Sequence, residues 1–347
     1  MLFKGVSIES VKYELPPLVV TLEEIEERLA PVYERLKLPY GRLELMTGIK
    51  ELRFWDPGTL SSHGAVLAGR KAIEAVGLKP AEIGCVVHAS VCRDFVEPAT
   101  ASVIHKKLGL VADTHIFDVS NACLGVLNSI VLVANMIQTG QRETGLIVSG
   151  ETAESLHEAT IERILADKAL TRSSFKKHFA SLTIGSGASA VLLVNSERSQ
   201  TGHELIGGAV RADTKANNLC QEDKQTPHIT KGPLMTTDSE ALLYAGCALA
   251  EQAWAALKAE LGWDNDSPDY IFTHQVGVAH KRLLFKSLCL DPAKDFSTVD
   301  FLGNTGSSAL PTAFAMGVEK QKIQKDDLIA LLGIGSGLSS LMLGIKW

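Results

Sequence analysis

Cys123 stands in Asp118-Val-Ser-Asn-Ala-Cys-Leu-Gly125, after an apolar run from His115 to Val119 and before a long helical pattern starting near Ala122. The run predicts a short strand, and the small polar residues after it predict a turn. A thiol at a strand-to-helix turn lies beside the unpaired N–H groups of the helix's first turn. Their partial positive charge favours thiolate over thiol. Thiolate is the nucleophilic form, so the placement suits covalent acyl transfer. A lone cysteine at a buried turn is also commonly just a small core residue, so other residues must decide. Two polar sites near the C-terminus bear on it, Thr273-His274-Gln275 and Gly303-Asn304-Thr305-Gly306. Each follows a strand-like apolar run and precedes a helical pattern. A Cys with a distant His and Asn is a known nucleophile constellation, although unrelated folds share that order.

The elements that must position these residues come in two copies. Leu182-Thr-Ile-Gly-Ser-Gly-Ala-Ser-Ala-Val-Leu-Leu193 resembles Leu332-Gly-Ile-Gly-Ser-Gly-Leu-Ser-Ser-Leu-Met-Leu343, and both read as strand, Gly-rich turn, strand. Ile83 to Ala89 echoes Pro268 to His274, Asp118 to Cys123 echoes Asp300 to Thr305, and Leu146 to Gly150 echoes Leu328 to Leu332. The offset is about 182 residues at the Asp118–Asp300 match and about 150 at the Ile184–Ile334 match, so the first half carries roughly 32 extra residues. The polar, charged, helix-patterned stretch at about 151–181 accounts for them. The halves are placed at 1–197, with the nucleophile and the insertion, and 198–347, with His274 and Asn304. Alternating strands and helices in each half imply an α/β fold. Two such halves imply a five-layer αβαβα stack with pseudo-twofold symmetry, in which Cys123 and Asn304 begin equivalent helices facing one cleft. Thr21 with Glu24 forms a capping box for a helix through about Leu36, kinked near Pro31. Residues 62–77 and 238–261 carry helical periodicity, and the polar stretch from Asp213 to Asp238 reads as a surface excursion.

Composition narrows the classes. A chain of 347 residues with 46% hydrophobic and 21% charged residues is that of a globular protein with a sizeable core. A net charge of −6 argues against nucleic acid as partner. Six irregularly spaced cysteines and no secretory signal point to a reduced, cytoplasmic protein. No apolar run is long enough to span a bilayer. Cys85, His88 and Cys92 fall mostly on one strand without a second ligand cluster, so no metal is expected. Gly333-Ile-Gly-Ser-Gly337 lacks the following helix and strand that a dinucleotide site needs.

The repeat and the Cys, His, Asn order together resemble the thiolase-fold condensing enzymes of the β-ketoacyl synthase III group, over nearly the whole chain. Thr47-Gly-Ile-Lys-Glu-Leu-Arg53 is similar to that group's segment near the coenzyme A entrance. The octet around Cys123 is similar to its nucleophile segment, Gly303 to Gly306 to its Asn motif, and Gly333 to Gly337 to its closing Gly-rich turn. Two departures point within the group. His274-Gln275-Val276-Gly277 lacks the usual second Asn, and Glu97 stands where fatty-acid initiation enzymes usually carry an apolar residue. Both resemble the OleA-type olefin-pathway thiolases, in which two fatty acyl-CoA molecules condense head to head without decarboxylation and this Glu reaches into the partner subunit's site.

The resemblance implies a homodimer that uses coenzyme A thioesters and no separate cofactor, with Cys123 holding the acyl group. His274 and Asn304 would stabilise the enolate oxygen. Glu97 would remove the proton beside the second thioester, helped by a carboxyl pKa raised in an apolar cleft. A backbone N–H near Ser336 would complete an oxyanion hole. Arg53 and Trp55 would hold the phosphates and adenine of coenzyme A, or be ordinary surface, and Glu97 before Pro98 could simply lead into a helix. An acyl carrier protein or downstream pathway enzymes are further partners the resemblance allows. The rival enzyme is a β-ketoacyl-carrier-protein synthase III using a malonyl donor. A hydroxymethylglutaryl-CoA synthase type also pairs Glu with Cys and His, but its other motifs do not stand out. A rival of another class is an inactive acyl-binding scaffold.

Overall fold

Residues 1–222 and 235–347 are described by a computed structural model. Nine strands hydrogen-bond in the order Tyr270–Thr273, Leu328–Gly335, Ser339–Lys346, Glu204–Ala212, Val6–Glu14, Gly187–Asn195, Thr144–Glu151, Cys85–Ala89, His115–Val119. The order is that of two matching sets. From the middle outward, Val6–Glu14, Gly187–Asn195, Thr144–Glu151 and Cys85–Ala89 have as counterparts Glu204–Ala212, Ser339–Lys346, Leu328–Gly335 and Tyr270–Thr273. The pairings agree: antiparallel, antiparallel, then parallel in each set. The sets meet at one antiparallel pair, Ser7 with Glu204. The outermost strand of the first set, His115–Val119, is matched in the second only by a parallel bridge between Ile271 and Asp295. Asp300, expected to echo Asp118 at a strand, lies instead in the short helix Val299–Leu302.

Side chains alternate along a strand, so each set presents two faces. Val87, Ile147, Val191 and Leu193 of the first set share one core with Phe272, Leu331, Leu341 and Leu343 of the second. Between them lie the helices Gly125–Gln138 and Ala309–Lys320, through Leu127, Ile130 and Phe314. The opposite face of the first set, Val86, Leu146 and Leu192, packs against Ala65, Ala68 and Ile104 of the helices Ser61–Glu74 and Thr100–Leu108. The opposite face of the second, Ile271, Ala330 and Met342, packs against Trp254, Leu257 and Leu284 of Ser239–Leu261 and Val278–Leu288. The result is helix, sheet, helix, sheet, helix. Strands buried on both faces read as unbroken apolar runs, which is why Cys85-Val-Val-His-Ala89 shows no alternation.

A fourth cluster caps the sheet ends. Leu22, Ile25, Tyr33 and Leu52 from the N-terminal segment pack with Ile161, Ile164, Phe175 and Leu182. Thr21 caps its helix as expected: its hydroxyl accepts from the Glu24 N–H at 3.2 Å, and the Glu24 carboxylate accepts from the Thr21 N–H at 2.7 Å. The helix does not run through to Leu36. It ends at Arg28, and Ala30–Leu36 starts anew with Pro31 in its first turn, where a missing N–H costs nothing. Between Glu151 and Gly187 lie the helices Glu154–Ala166, Arg172–Lys176 and Phe179–Leu182. Leu182, read as strand, is therefore helical, and Ile184 makes only a bridge to Asn304. Of the excursion at 213–238, Cys220–Glu222 pairs antiparallel with Met235–Thr237, and residues 223–234 lie outside the described residues.

Candidate active site

The nucleophile turn is built by its neighbours. Asp118, at the end of its strand, accepts the N–H groups of Thr100 and Ala101 at 2.8 Å each, so it caps a helix and leaves Cys123 to other contacts. Ala122 has φ of 44°, in the left-handed region, where a non-glycine residue costs about 1–3 kcal/mol. The bend turns the chain sharply between strand and helix, with Cys123 two residues ahead of Gly125–Gln138. Cys123 remains half-buried.

Its ionisation runs against expectation. Burial, foremost, and then the nearby Glu151 carboxylate and Cys220 push the Cys123 thiol up to about 12. Loss of hydration outweighs the partial charge of the helix end, so the resting Cys123 side chain is the neutral thiol.

Asn304 occupies the corresponding turn of the second half, ahead of Ala309–Lys320. Its backbone is pinned by Asn304 N–H to Thr183 O at 3.1 Å and by Gly185 N–H to Asn304 O at 3.0 Å. Its Oδ1 accepts the Gly306 N–H at 3.0 Å. With Oδ1 engaged, the amide NH₂ is the end left to donate to a substrate oxygen. Ser307 Oγ donates to the Ala122 carbonyl at 2.6 Å, which ties this turn to the nucleophile turn.

His274 follows Tyr270–Thr273, and its N–H donates to Leu332 O at 3.1 Å on the neighbouring strand. That neighbour ends at Gly335, where a Cβ would lie 3.6 Å from the Cys123 nitrogen. The closing turn with Ser336 therefore adjoins the nucleophile, and His274 stands one strand away. His274 is 5% exposed, and its Nδ1 has no hydrogen-bond partner. Burial, with a smaller effect of His280, pushes it down to about 3, so its ring is neutral. Such a ring can donate one N–H, or take a proton in passing.

Glu97 and Trp55 sit elsewhere. Glu97 is exposed on the segment between Ala89 and Thr100, not in an apolar cleft of its own protomer. Trp55 is 6% exposed, with its Nε1–H donated to the Glu151 carbonyl at 3.1 Å. Its ring packs edge-on to His63 and against Gly64, so it supports the site from below and offers no face to adenine. Arg53 is half-buried. One Nη1 donates to Pro16 O at 3.3 Å, and its Nε has no hydrogen-bond partner.

Sequence reasoning missed Glu151. It was counted as the first residue of the insertion, yet it is the last residue of a fully buried strand, 4% exposed. Its position was readable in one respect: an acid directly after Leu146-Ile-Val-Ser-Gly150 falls at a strand's carboxyl end, where α/β folds place their sites.

A two-half αβαβα fold, with a cysteine elbow in one half and His and Asn at the equivalent edge of the other, defines a thiolase-superfamily, acyl-transferring enzyme. Residues 117–214 match the family "3-Oxoacyl-[acyl-carrier-protein (ACP)] synthase III" and residues 258–347 match its C-terminal counterpart. An acyl-CoA:acyl-CoA alkyltransferase of Shewanella oneidensis is 41% identical, covering 100% of both chains. One of Xanthomonas campestris is 36% identical, again over 100% of both. The crystal structure of a cysteine-to-alanine variant of Xanthomonas campestris OleA superposes with a TM-score of 0.94 at 35% identity, covering 100% of this chain and 98% of that one. A cysteine-to-serine variant with bound lauric acid and lauroyl-CoA gives 0.93 at 35% identity, covering 100% of each chain. The chain belongs to the OleA family of acyl-CoA:acyl-CoA alkyltransferases.

Proposed function

We propose that this protein condenses two fatty acyl-CoA molecules head to head, without decarboxylation, to a 2-alkyl-3-oxoacyl-CoA. The observation that carries this reading is the full-length likeness to acyl-CoA:acyl-CoA alkyltransferases, in a chain whose Cys123 and Asn304 turns are tied together by the Ser307–Ala122 hydrogen bond. The same likeness weighs against the malonyl-dependent synthase III alternative.

In the first step the Cys123 thiol adds to the acyl-CoA carbonyl. Its proton goes to the departing coenzyme A sulfur, leaving acyl-Cys123 and coenzyme A thiol. A backbone N–H of the turn at Ser336 holds the oxyanion. In the second step a base removes the proton beside the thioester of a second acyl-CoA. The His274 N–H and the Asn304 amide stabilise the enolate oxygen, the carbanion attacks acyl-Cys123, and the cysteine sulfur leaves as thiolate and regains the proton the base had taken. Atoms balance with the thioesters alone, so no further cofactor enters the cycle. Arg53, with its unpartnered Nε, is the residue suited to a coenzyme A phosphate.

Glu97 is the base in this reading, supplied across a homodimer. Supporting this, its segment exposes Val91 at 53%, Phe95 at 48% and Val96 at 96%, next to the sheet's open edge strand, where Ile116 is 36% exposed. An unpaired edge flanked by apolar side chains calls for a covering partner. Solved OleA variants alter a cysteine, a glutamate and a histidine, the first two at the sequence spacing of Cys123 and Glu97. Among the described residues no helix is long and apolar enough to cross a membrane, and all six cysteines are unpaired, which supports a cytoplasmic location.

The test is incubation with one long-chain acyl-CoA and no malonyl donor, with product mass as readout. A product that appears only when malonyl-CoA or malonyl-carrier protein is added would overturn the reading. Sedimentation should give a dimer; a 37 kDa monomer at micromolar concentration would remove the route for Glu97.

A further inference from the structure

Thr144–Glu151 and Leu328–Gly335 are counterparts in the two halves. In the parallel pairs Cys85 stands beside Gly145 and its counterpart Tyr270 beside Ile329, and about six residues on the two strands end, at Glu151 and at Gly335. Glu151 and Gly335 are therefore equivalent positions, and each abuts the helix start of the other half. Gly335 meets the nucleophile turn at Cys123 and Leu124, and its missing side chain keeps the strand end clear of them. Glu151 meets the Asn304 turn. Its Oε1 accepts the Ser307 N–H at 3.0 Å, and a Cβ on Gly306 would lie 2.9 Å from that oxygen. One strand end is left open, and its twin is filled by a carboxylate.

The same Oε1 accepts the Val91 N–H at 3.0 Å, and Oε2 accepts the Cys92 N–H at 3.1 Å. Burial pushes the Glu151 carboxyl up, and the three backbone partners, all of them donors, oppose that by favouring the anion. Val91 and Cys92 open the segment leading to Glu97, and Ser307 is bonded to Ala122 beside Cys123. The segments bearing the nucleophile, the oxyanion donor and the exposed acid thus converge on one buried side chain. A charge in this place is costly for the thiol, because Glu151 adds to what burial already does to Cys123. The titratable groups around the pair are Cys92 on the Glu151 side and Cys220 on the Cys123 side.

We propose that Glu151 is a positioning residue for condensation, whose side chain, held by three backbone N–H donors, locks the Cys123 turn, the Asn304 turn and the Glu97 segment in one register beside the thiol. The proposal rests on the reading of Cys123 as nucleophile given above.

The test compares wild type, Glu151→Gln and Glu151→Asp. The first readout needs no substrate: the rate of Cys123 alkylation by iodoacetamide against pH, with the modified residue located by mass spectrometry. Glu151→Gln should raise that rate at neutral pH about tenfold, one pKa unit's worth. It should acylate at least as fast as wild type and lose roughly 10- to 100-fold in condensation kcat, with little change in KM. Glu151→Asp keeps the charge but not the reach, so its alkylation profile should match wild type while condensation falls. A purely structural residue would leave the alkylation profile of folded Glu151→Gln unmoved, and that result overturns the proposal. So does equal loss of acylation and condensation. If Glu151→Gln does not fold, Glu151→Asp decides, and wild-type condensation in that variant overturns the proposal. Wild-type protein that made no product from acyl-CoA alone would sink the functional reading instead, and the alkylation profile would still decide on Glu151.

Discussion

Ser307 Oγ donates a 2.6 Å hydrogen bond to the carbonyl of Ala122, a residue 185 positions earlier in the chain. It joins the two turns that face each other across the pseudo-twofold axis. The accepting carbonyl belongs to the one residue of the nucleophile elbow held at positive φ. The bond thus helps hold a strained conformation in place, and the distance from Asn304 to Cys123 depends on it.

Ser307→Ala should therefore fold but react poorly. Loss of a hydrogen bond of this kind costs about 0.5–1.5 kcal/mol of stability. Condensation kcat should fall by roughly tenfold, since small displacements of reacting groups carry rate penalties of that size or more. Thermal melting together with single-turnover kinetics separates the two effects. Unchanged condensation would show that the two turns keep their register without the bond.

His274→Ala should still accept an acyl group on Cys123 but form little product, because in the proposed cycle the histidine serves the enolate of the second step. Removal of one oxyanion donor costs about 10²–10³ in kcat. Intact-protein mass after acyl-CoA treatment reports acylation, and product analysis reports condensation. A variant that cannot be acylated at all would make proton transfer from Cys123 the main task of His274.

Glu97→Gln should leave acylation intact and lower condensation of acyl-CoA by about 10²–10⁴, the usual contribution of a positioned base. Wild-type rates in Glu97→Gln would remove Glu97 from the mechanism. Mixing Glu97→Gln with Cys123→Ala adds a second check. If the base crosses the dimer, subunit exchange should restore activity through mixed dimers, each with one intact site.

Acid should destabilise the fold through its buried histidines. Burial, outweighing the opposing effect of Glu158, brings His157 down to about 4, and burial with His280 brings His274 down to about 3. Unfolding returns both to about 6.5. Between about pH 4 and 6.5 the unfolded chain binds protons that the folded one refuses, so stability rises with pH across that window and is lost on acidification. At pH 5 each histidine costs on the order of 2 kcal/mol relative to pH 7. Melting temperatures measured at pH 7, 6 and 5 should fall, and His157→Gln should flatten the slope. A flat profile in wild type would contradict the assignment.

The architecture was legible because its signals repeat. Gly-rich turns recur in both halves, apolar runs mark the buried strands, and Thr21 with Glu24 makes a local cap that needs no tertiary context. The strand-to-helix turn at Cys123 was legible, whereas Asn304 lies between the short helix Val299–Leu302 and the helix Ala309–Lys320. What escaped was decided by distant parts of the chain. Only its place directly after the run Leu146 to Gly150 sets Glu151 apart from the charged helices that follow; its partners, the Val91, Cys92 and Ser307 amides, come from distant parts of the chain. Trp55 sits near Arg53 in sequence but points inward, because Gly64 leaves its ring a place. The thiol of Cys123 is set by desolvation, a property of the assembled cleft that the helix end alone does not reveal. The end of the first helix at Arg28 was misread for a smaller reason, since Pro31 can open a helix as readily as bend one.

The strand Val6–Glu14 pairs with Gly187–Asn195, and the Phe3 N–H reaches Ile206 O at 3.1 Å. During synthesis, a chain growing from its N-terminus must hold its opening strand without its main partner until residue 195 has been added. The second half waits again, since Glu204–Ala212 pairs with the closing strand Ser339–Lys346. Throughout that interval one apolar side of the helix Gly125–Gln138 has no second sheet to cover it. Pairings this remote in sequence form slowly, and uncovered apolar surface invites association with other chains. Slower translation or chaperone supply between the two halves should therefore govern how much active enzyme a cell recovers, more than changes within the finished site would.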